Sequence, residues 1–285
     1  MNRDPSNPAL ACTAPRSLTA ADIPQAMHLK NAAGWNQTAQ DWLLLQELEP
    51  GGGFAVEEGG ELASTATVIT YGQELAWIGM VLTAPHLQRR GHAGRVVSRA
   101  IEYALERGVA RIGLDATDMG FKLYQRFGFE PRGLVERWER PAYASCVAPV
   151  LLEPWTPDPV LDMEAFGANR GRLLRALARS ESASVPEGGG FAMGRPGSAA
   201  VYFGPCVAKT ASAANLLLRW FLGRHPSEPV CWDLLDSNSE ALLLAREYGF
   251  HPARRLTRMM RIARLAQLPE PDKSLVFATA GLELG

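Results

Sequence analysis

Cysteine is scarce in this chain, with four residues in 285. Cys12, Cys146, Cys206 and Cys231 are far apart and form no Cys-x-x-Cys pair, which excludes a disulfide framework and a thiolate zinc site and leaves free thiols. Histidine does not make up the deficit. His86 and His92 lack the spacing and partners of a closed metal site, so no metal is expected. No stretch approaches the roughly 18 apolar residues of a membrane span, and residues 1–16 are polar and proline-bearing without an apolar core. The expectation is therefore a cytoplasmic protein with no membrane partner. An excess of one charge is also missing: Lys plus Arg number 29 against 30 for Asp plus Glu, which argues against nucleic acid as a partner. Two nucleotide motifs are absent as well. Gly91 and Gly94 begin no Gly-x-Gly-x-x-Gly run, and no Gly-Lys-Ser/Thr follows them.

What is present is organised around Gln88-Arg89-Arg90-Gly91-His92-Ala93-Gly94, which follows an apolar run from Leu75 to Leu82 and opens an amphipathic helix. A loop that leads from a strand into a helix leaves several amides unpaired, and the helix dipole adds partial positive charge. Gly91 and Gly94 let backbone approach an oxygen-rich ligand, and Arg89, Arg90 and Arg95 add cations. The ligand that fits is a pyrophosphate.

At these residues a resemblance enters. Gln88-x-x-Gly91-x-Ala93 resembles the Gln/Arg-x-x-Gly-x-Gly/Ala loop of the GCN5-related N-acetyltransferases, the GNAT family, which holds the coenzyme A pyrophosphate. The flanks are similar too: Ile112-Gly113-Leu114-Asp115 reads as a buried strand, and Leu123-Tyr124-Gln125-Arg126-Phe127-Gly128-Phe129 as the helix end that follows it. The resembling stretch runs from about Ser17 to Arg140.

In chain order, Thr19 to Asp22 is a capping-box-like helix start, and a second short helix from Thr38 to Leu48 is stopped by Pro50. Phe54 to Glu58, Leu62 to Tyr71 and Glu74 to Leu82 read as an antiparallel meander of three strands. The helix from Gly91 places Ala93, Val96, Val97, Ala100, Ile101, Ala104 and Leu105 on one face and ends at Gly108. Crossing through it makes Arg111 to Asp115 parallel to Glu74 to Leu82. The resemblance implies that these two strands splay apart and admit the pantetheine arm to the open backbone of Val81, Leu82 and Thr83. It also implies that Trp35 lines the acceptor groove; a large aromatic beside Gly34 equally suits plain packing.

After Pro141 the sequence loosens through several prolines and then repeats in degraded form. Gly51-Gly52-Gly53-Phe54-Ala55 recurs as Gly188-Gly189-Gly190-Phe191-Ala192, and Phe127-Gly128-Phe129 as Tyr248-Gly249-Phe250. Around them lie strand Ala199 to Val207, helix Ala211 to Leu222, strand Val230 to Leu234 and helix Ser239 to Tyr248. The fold class is thus α/β, with two tandem GNAT-like lobes, each a central, mostly antiparallel sheet with one parallel splayed strand pair flanked by helices. The expected division is a tail at 1–16, a catalytic domain at 17–141, a linker at 142–159 and a degenerate second domain at 160–285. The second copy has Val207 to Ala214 in place of the phosphate loop, with no glycine or arginine, and Ala245 where the first has Tyr124. Asn238 stands where the first has Thr117. Arg254, Arg255, Arg258, Arg261 and Arg264 read as a solvated basic face.

The chemistry implied is transfer of an acetyl group from acetyl-coenzyme A to a primary amine of a small molecule or peptide, by direct attack in a ternary complex. The amine must lose a proton and the departing thiolate must gain one. Tyr124, a phenol with a reference pKa of about 10, sits where the family's general acid sits relative to Gly128. As a core residue it would pack between Phe121 and Phe127. A backbone N–H near Leu82 would meet the oxyanion. Many family members carry a basic glutamate on the strand before the loop, but Ala76 to Leu82 holds no acid; Asp115 is the substitute, with Asp118 and His86 behind it, unless Asp115 is a strand-end turn residue. A longer acyl or amino-acyl donor, or coenzyme binding without catalysis, remains compatible with the sequence, as does a homodimer.

Overall fold

The computed structural model describes residues 14–142, 147–155, 159–266, 268 and 270–285. Cys12 and Cys146 lie outside them, whereas Cys206 and Cys231 are buried free thiols. The first lobe opens with strand β1 (Arg16–Ser17), helix α1 (Ile23–Ala32) and helix α2 (Ala39–Leu48). Thr38 caps α2 through a reciprocal pair: the Asp41 carboxylate accepts from the Thr38 amide at 2.6 Å, and the Thr38 hydroxyl accepts from the Asp41 amide. The meander is present as β2 (Gly53–Glu58), β3 (Glu61–Tyr71) and β4 (Leu75–Thr83). Helix α3 (His92–Glu106) buries Val96, Val97, Ala100, Ile101 and Ala104, and leads into β5 (Arg111–Ala116), α4 (Asp118–Arg126) and β6 (Glu130–Arg140).

The second lobe contains α5 (Pro159–Phe166), α6 (Gly171–Leu177), β7 (Glu181–Val185), β8 (Gly190–Arg195), β9 (Val201–Ala208), α7 (Ala211–Arg224), β10 (Val230–Leu235), α8 (Ser239–Glu247), β11 (His251–Ile262) and β12 (Val276–Ala278). No helix among the described residues is long and apolar enough to cross a membrane.

The two lobes share one sheet, in the order β1-β2-β3-β4-β5-β11-β6-β10-β9-β8-β7, with β12 paired to β9. Each lobe lends a strand to the other: β11 lies between β5 and β6, and β6 lies beside β10. Opposed charges secure both crossings. Arg137 on β6 stands opposite Asp233 on β10 and binds it with two hydrogen bonds of 2.8 and 2.7 Å. Arg258 on β11 stands opposite Asp115 on β5 and binds it with two of 2.9 Å. The exchanged strands also bury Val135, Leu256 and Met259 in a core that runs from Trp42 to Leu284, each such side chain contributing roughly 1.5–3 kcal/mol. The basic segment from Arg254 is therefore solvated only in part: Arg255 and Arg264 are exposed, whereas Arg254, Arg258 and Arg261 are half-buried. Two of its arginines find carboxylate partners on the first lobe's strands, Arg255 at Glu136 and Arg258 at Asp115.

Candidate functional site

β4 and β5 pair in parallel from Leu75 with Arg111 to Trp77 with Gly113, and then part. Beyond that point β4 carries a bulge. Thr65 of β3 faces Leu82 and Thr67 faces Gly79, so Met80 and Val81 together oppose Ala66, and Met80 takes the unusual φ of 49°. The Thr65 hydroxyl donates to the Met80 carbonyl at 2.8 Å and the Ser64 hydroxyl to the Leu82 carbonyl at 2.7 Å, which pins the bulge on its β3 side. The other side, along Val81, faces the gap between the strands. Thr83 lies at the end of β4, its hydroxyl 2.9 Å from that of Ser64.

At the mouth of the gap, Gln88 to Gly91 turns into α3. Gly91 is the N-cap residue at φ 91°, and a Cβ there would meet nothing within 4 Å, so the amides that follow are approachable from solvent. Gly94 is almost as open, with the Leu123 side chain 3.8 Å from its virtual Cβ. Gln88, Arg89 and Arg95 are exposed and Ala93 half-buried. Two residues of the predicted loop point elsewhere. Arg90 donates to Glu58 at 2.6 Å, and the buried His92 ring lies 2.7 Å from the second oxygen of the same carboxylate. Both side chains thus anchor the loop to β2, leaving backbone as their means of meeting an anion. The opening, the glycines and the helix N-terminus fit a pyrophosphate and a pantetheine arm.

The gap deepens into a cleft that brings together Trp35, Val81, Asp115, Thr117 and Tyr124, with Gln37, Arg137, Arg254 and Glu283. Tyr124 projects from α4 over Gly120, where a Cβ would come within 2.8 Å of its ring. It is buried, packs edge-on to Phe129 at 6.1 Å, and its hydroxyl has no hydrogen-bond partner among the described residues. Burial alone holds the phenol above its usual pKa, so it is protonated at neutral pH. Thr117 caps α4, accepting from the Gly120 amide at 3.3 Å. His86 is on the surface with Glu61, and Asp118 is exposed.

Asp115 reaches the cleft, but both its oxygens accept from Arg258 and its side chain is fully buried. Burial raises its pKa while Arg258 opposes the rise. A second carboxylate, unforeseen from the sequence, is Glu283. The segment after β12 runs back across β4, where the Trp77 indole donates to the Leu282 carbonyl at 2.9 Å and the Tyr71 hydroxyl to the Leu284 carbonyl at 2.6 Å. Gly79 makes this approach possible, since a Cβ would stand 2.7 Å from the Glu283 Cα. One Glu283 oxygen accepts from Arg195 at 2.9 Å and the other from the neutral amide of Gln37 at 2.7 Å. Burial raises its pKa, against Arg195 and reinforced by Asp41. The backbone of Glu283 thus packs on β4 at Gly79, and the sequence signal for this approach was Gly79 itself.

In the second lobe the parallel pair β9 and β10 also parts, after Trp232 and Phe203. Here β12 enters the gap, pairing Val276 with Val207 and Ala278 with Cys206. The Asn238 amide donates to the carbonyls of Ser274 and Val276, both at 3.0 Å, and the Trp232 indole to that of Phe277 at 2.7 Å.

Comparison with known proteins agrees with this geometry. Residues 22–129 match the family described as acetyltransferase (GNAT) family, and residues 159–276 match the acetyltransferase (GNAT) domain. No protein of curated function matches the chain. Among solved structures, it is similar to an inferred acetyltransferase of Pyrococcus horikoshii, with TM-score 0.81 and 21% identity over 100% of this chain and 99% of the other. A GCN5-related N-acetyltransferase of Sphaerobacter thermophilus gives 0.64 and 19%, covering 89% and 96%. A tandem GNAT protein from the clavulanic acid biosynthesis pathway gives 0.62 and 17%, covering 90% and 100%. At these identities the structures speak to fold, and the two matched segments speak to family: the chain belongs to the GNAT acetyltransferases, with one GNAT unit in each lobe.

Proposed function

We propose that the first lobe binds acetyl-coenzyme A and transfers the acetyl group to a primary amine of a small molecule or peptide in a ternary complex. The observation that carries this reading is the open gap between β4 and β5, with the glycine loop at its mouth and a proton donor and a carboxylate at its floor. Coenzyme A would lie along Val81 to Thr83 with its phosphates at Gln88 to Arg95, and its thioester would supply the activated acetyl group. Approach of the amine nitrogen forms the new C–N bond as the C–S bond breaks. The amides of the β4 bulge face the carbonyl oxygen. Tyr124 gives its hydroxyl proton to the departing sulfur and is reprotonated from solvent.

The amine proton needs a carboxylate, and two are within the cleft. Glu283 suits the task better than Asp115, because one of its oxygens faces only a neutral amide, whereas both oxygens of Asp115 are held by one guanidinium. A base whose pKa is raised by burial loses its proton later as pH rises, so the acid limb of kcat should lie above the ordinary glutamate value of about 4.3. Glu283→Gln should remove that limb and lower kcat.

An acceptor screen with acetyl-coenzyme A, read by thiol release, tests the function directly. Coenzyme binding without thiol release to any amine would favour a sensor over an enzyme. A donor series of increasing acyl length separates acetyl transfer from transfer of longer groups.

A further inference from the structure

The cleft has an unequal distribution of satisfied charge. Arg137 spends its fork on Asp233, Asp115 is bound by Arg258, and Glu283 is held by Arg195 and Gln37. Arg254 is different. Its side chain lines the same cleft, half-buried, yet it makes no hydrogen bond or ion pair among the described residues. Its guanidinium lies over the Trp35 ring, 5.7 Å from the centroid. The charges that act on it are another cation, Arg137, and Asp233, whose two oxygens Arg137 already binds.

The backbone is shaped to put Arg254 there. β11 pairs Pro252 with Trp138 and then Arg254 with Arg137, so Ala253 is an extra residue that forms a bulge next to Arg254. A bulge interrupts the alternation of a strand and re-aims the following side chain. Here it turns a cation of the second lobe into the cleft of the first.

We propose that Arg254, backed by Trp35, binds an anionic group of the acceptor, and that the acceptor is an amine that also carries a carboxylate. The inference rests on the first lobe being an acyltransferase. A planar guanidinium with its fork unused matches a carboxylate in two parallel hydrogen bonds, and a partly desolvated site strengthens them. A single uncommitted cation neutralises a monoanion; a phosphate dianion would leave charge uncompensated in a cleft that already holds Glu283 and Asp115. The arrangement also separates the two ends of the acceptor. Its anion lies at Arg254, and its amine turns toward Glu283.

The test compares the straight-chain amino acids from glycine to 6-aminohexanoate, the alkylamines of matching length and phosphoethanolamine as acceptors for acetyl-coenzyme A. At least one amino acid should exceed its matched alkylamine by roughly 10- to 100-fold in kcat/KM, as a charge-assisted pair would provide. Arg254→Gln should erase that advantage mainly through KM, leave the alkylamine rate and coenzyme affinity unchanged, and keep the melting temperature. Arg254→Lys should recover part of it. Equal use of acids and alkylamines, an equal loss for both on Arg254→Gln, or preference for phosphoethanolamine overturns the inference while leaving acyl transfer intact. Bound coenzyme with no amine acetylated also overturns it. Failure to bind acetyl-coenzyme A overturns the function on which it rests.

Discussion

Both lobes build a parallel strand pair that runs together for three residues and then parts, but the two gaps are filled differently. In the first, the gap is lined by a bulged strand and opens onto a glycine loop. In the second, the chain's own Val276–Ala278 pairs with β9 inside the gap, and Asn238 and Trp232 bind its carbonyls. Backbone groups left unpaired by a splay must find partners, from a ligand or from the chain itself. With the chain in place, the second lobe has no use for a phosphate loop, and Val207 to Ala214 carries neither glycine nor arginine. The filled gap still serves the open one: the segment that plugs it continues to Glu283, which reaches β4 of the first lobe.

The comparison predicts chemistry in one lobe only, and the largest effect should come from its phenol. Tyr124→Phe should lower turnover by roughly 10²–10⁴-fold with coenzyme affinity nearly unchanged, as measured by thiol release and calorimetry. The second lobe has Ala245 at the equivalent place, so no residual activity should survive there. Wild-type turnover in Tyr124→Phe would reduce the tyrosine to a packing residue.

Next are the two crossings that join the lobes. Arg137→Met and Arg258→Met each leave a fully buried aspartate without its guanidinium, and breaking such a pair costs about 3–5 kcal/mol. Denaturant unfolding should show both losses in a single transition, since the strands of one lobe complete the sheet of the other. Two separate transitions would contradict a shared core.

Gly91→Val should follow, with coenzyme affinity falling roughly 100-fold, about 2.7 kcal/mol, because a β-branched residue resists φ 91° and its side chain stands before the open amides. Calorimetry on the wild type should give one coenzyme per chain. A value of two would mean that β12 can be displaced and that the gaps are equivalent.

Much of this was legible in the sequence where cause and effect are local. Gly91 and Gly94 stand between a strand and a helix, Tyr124 lies at a fixed distance from Gly128, and Thr38 and Asp41 sit within one helical turn of each other. The strand exchange was not legible. From Arg254 to Arg264 arginines occur at both parities, and such a pattern reads as surface until Asp115 and Glu136 are seen across the sheet. Asp115 was noticed as a cleft carboxylate, but its partner is far along the chain, on a strand borrowed from the other lobe. Glu283 was invisible for the same reason: β4 lacks an acid, and nothing local says which distant segment supplies one.

The smallest effect distinguishes the lobes most finely, because it falls on equivalent residues with unequal work. Thr117 and Asn238 are the N-cap residues of α4 and α8, and each accepts one hydrogen bond from the first turn of its helix. The Thr117 side chain makes no further hydrogen bond among the described residues, so Thr117→Ala should cost about 1 kcal/mol, as for an ordinary cap. Asn238 also donates to Ser274 and Val276, and its removal leaves two carbonyls of the plug without that donor. Asn238→Ala should therefore cost about 1 kcal/mol more than Thr117→Ala, with the excess set by the net worth of buried hydrogen bonds. It should also loosen Val276–Ala278, and with it Glu283, so kcat should fall while coenzyme affinity at Gly91 stays constant. Hydrogen exchange at Val276 and Ala278, measured in both variants, checks the link: protection should drop in Asn238→Ala alone. Equal costs, with unchanged protection, would mean that the plug is held by β9 and Trp232 and that Asn238 is only a cap.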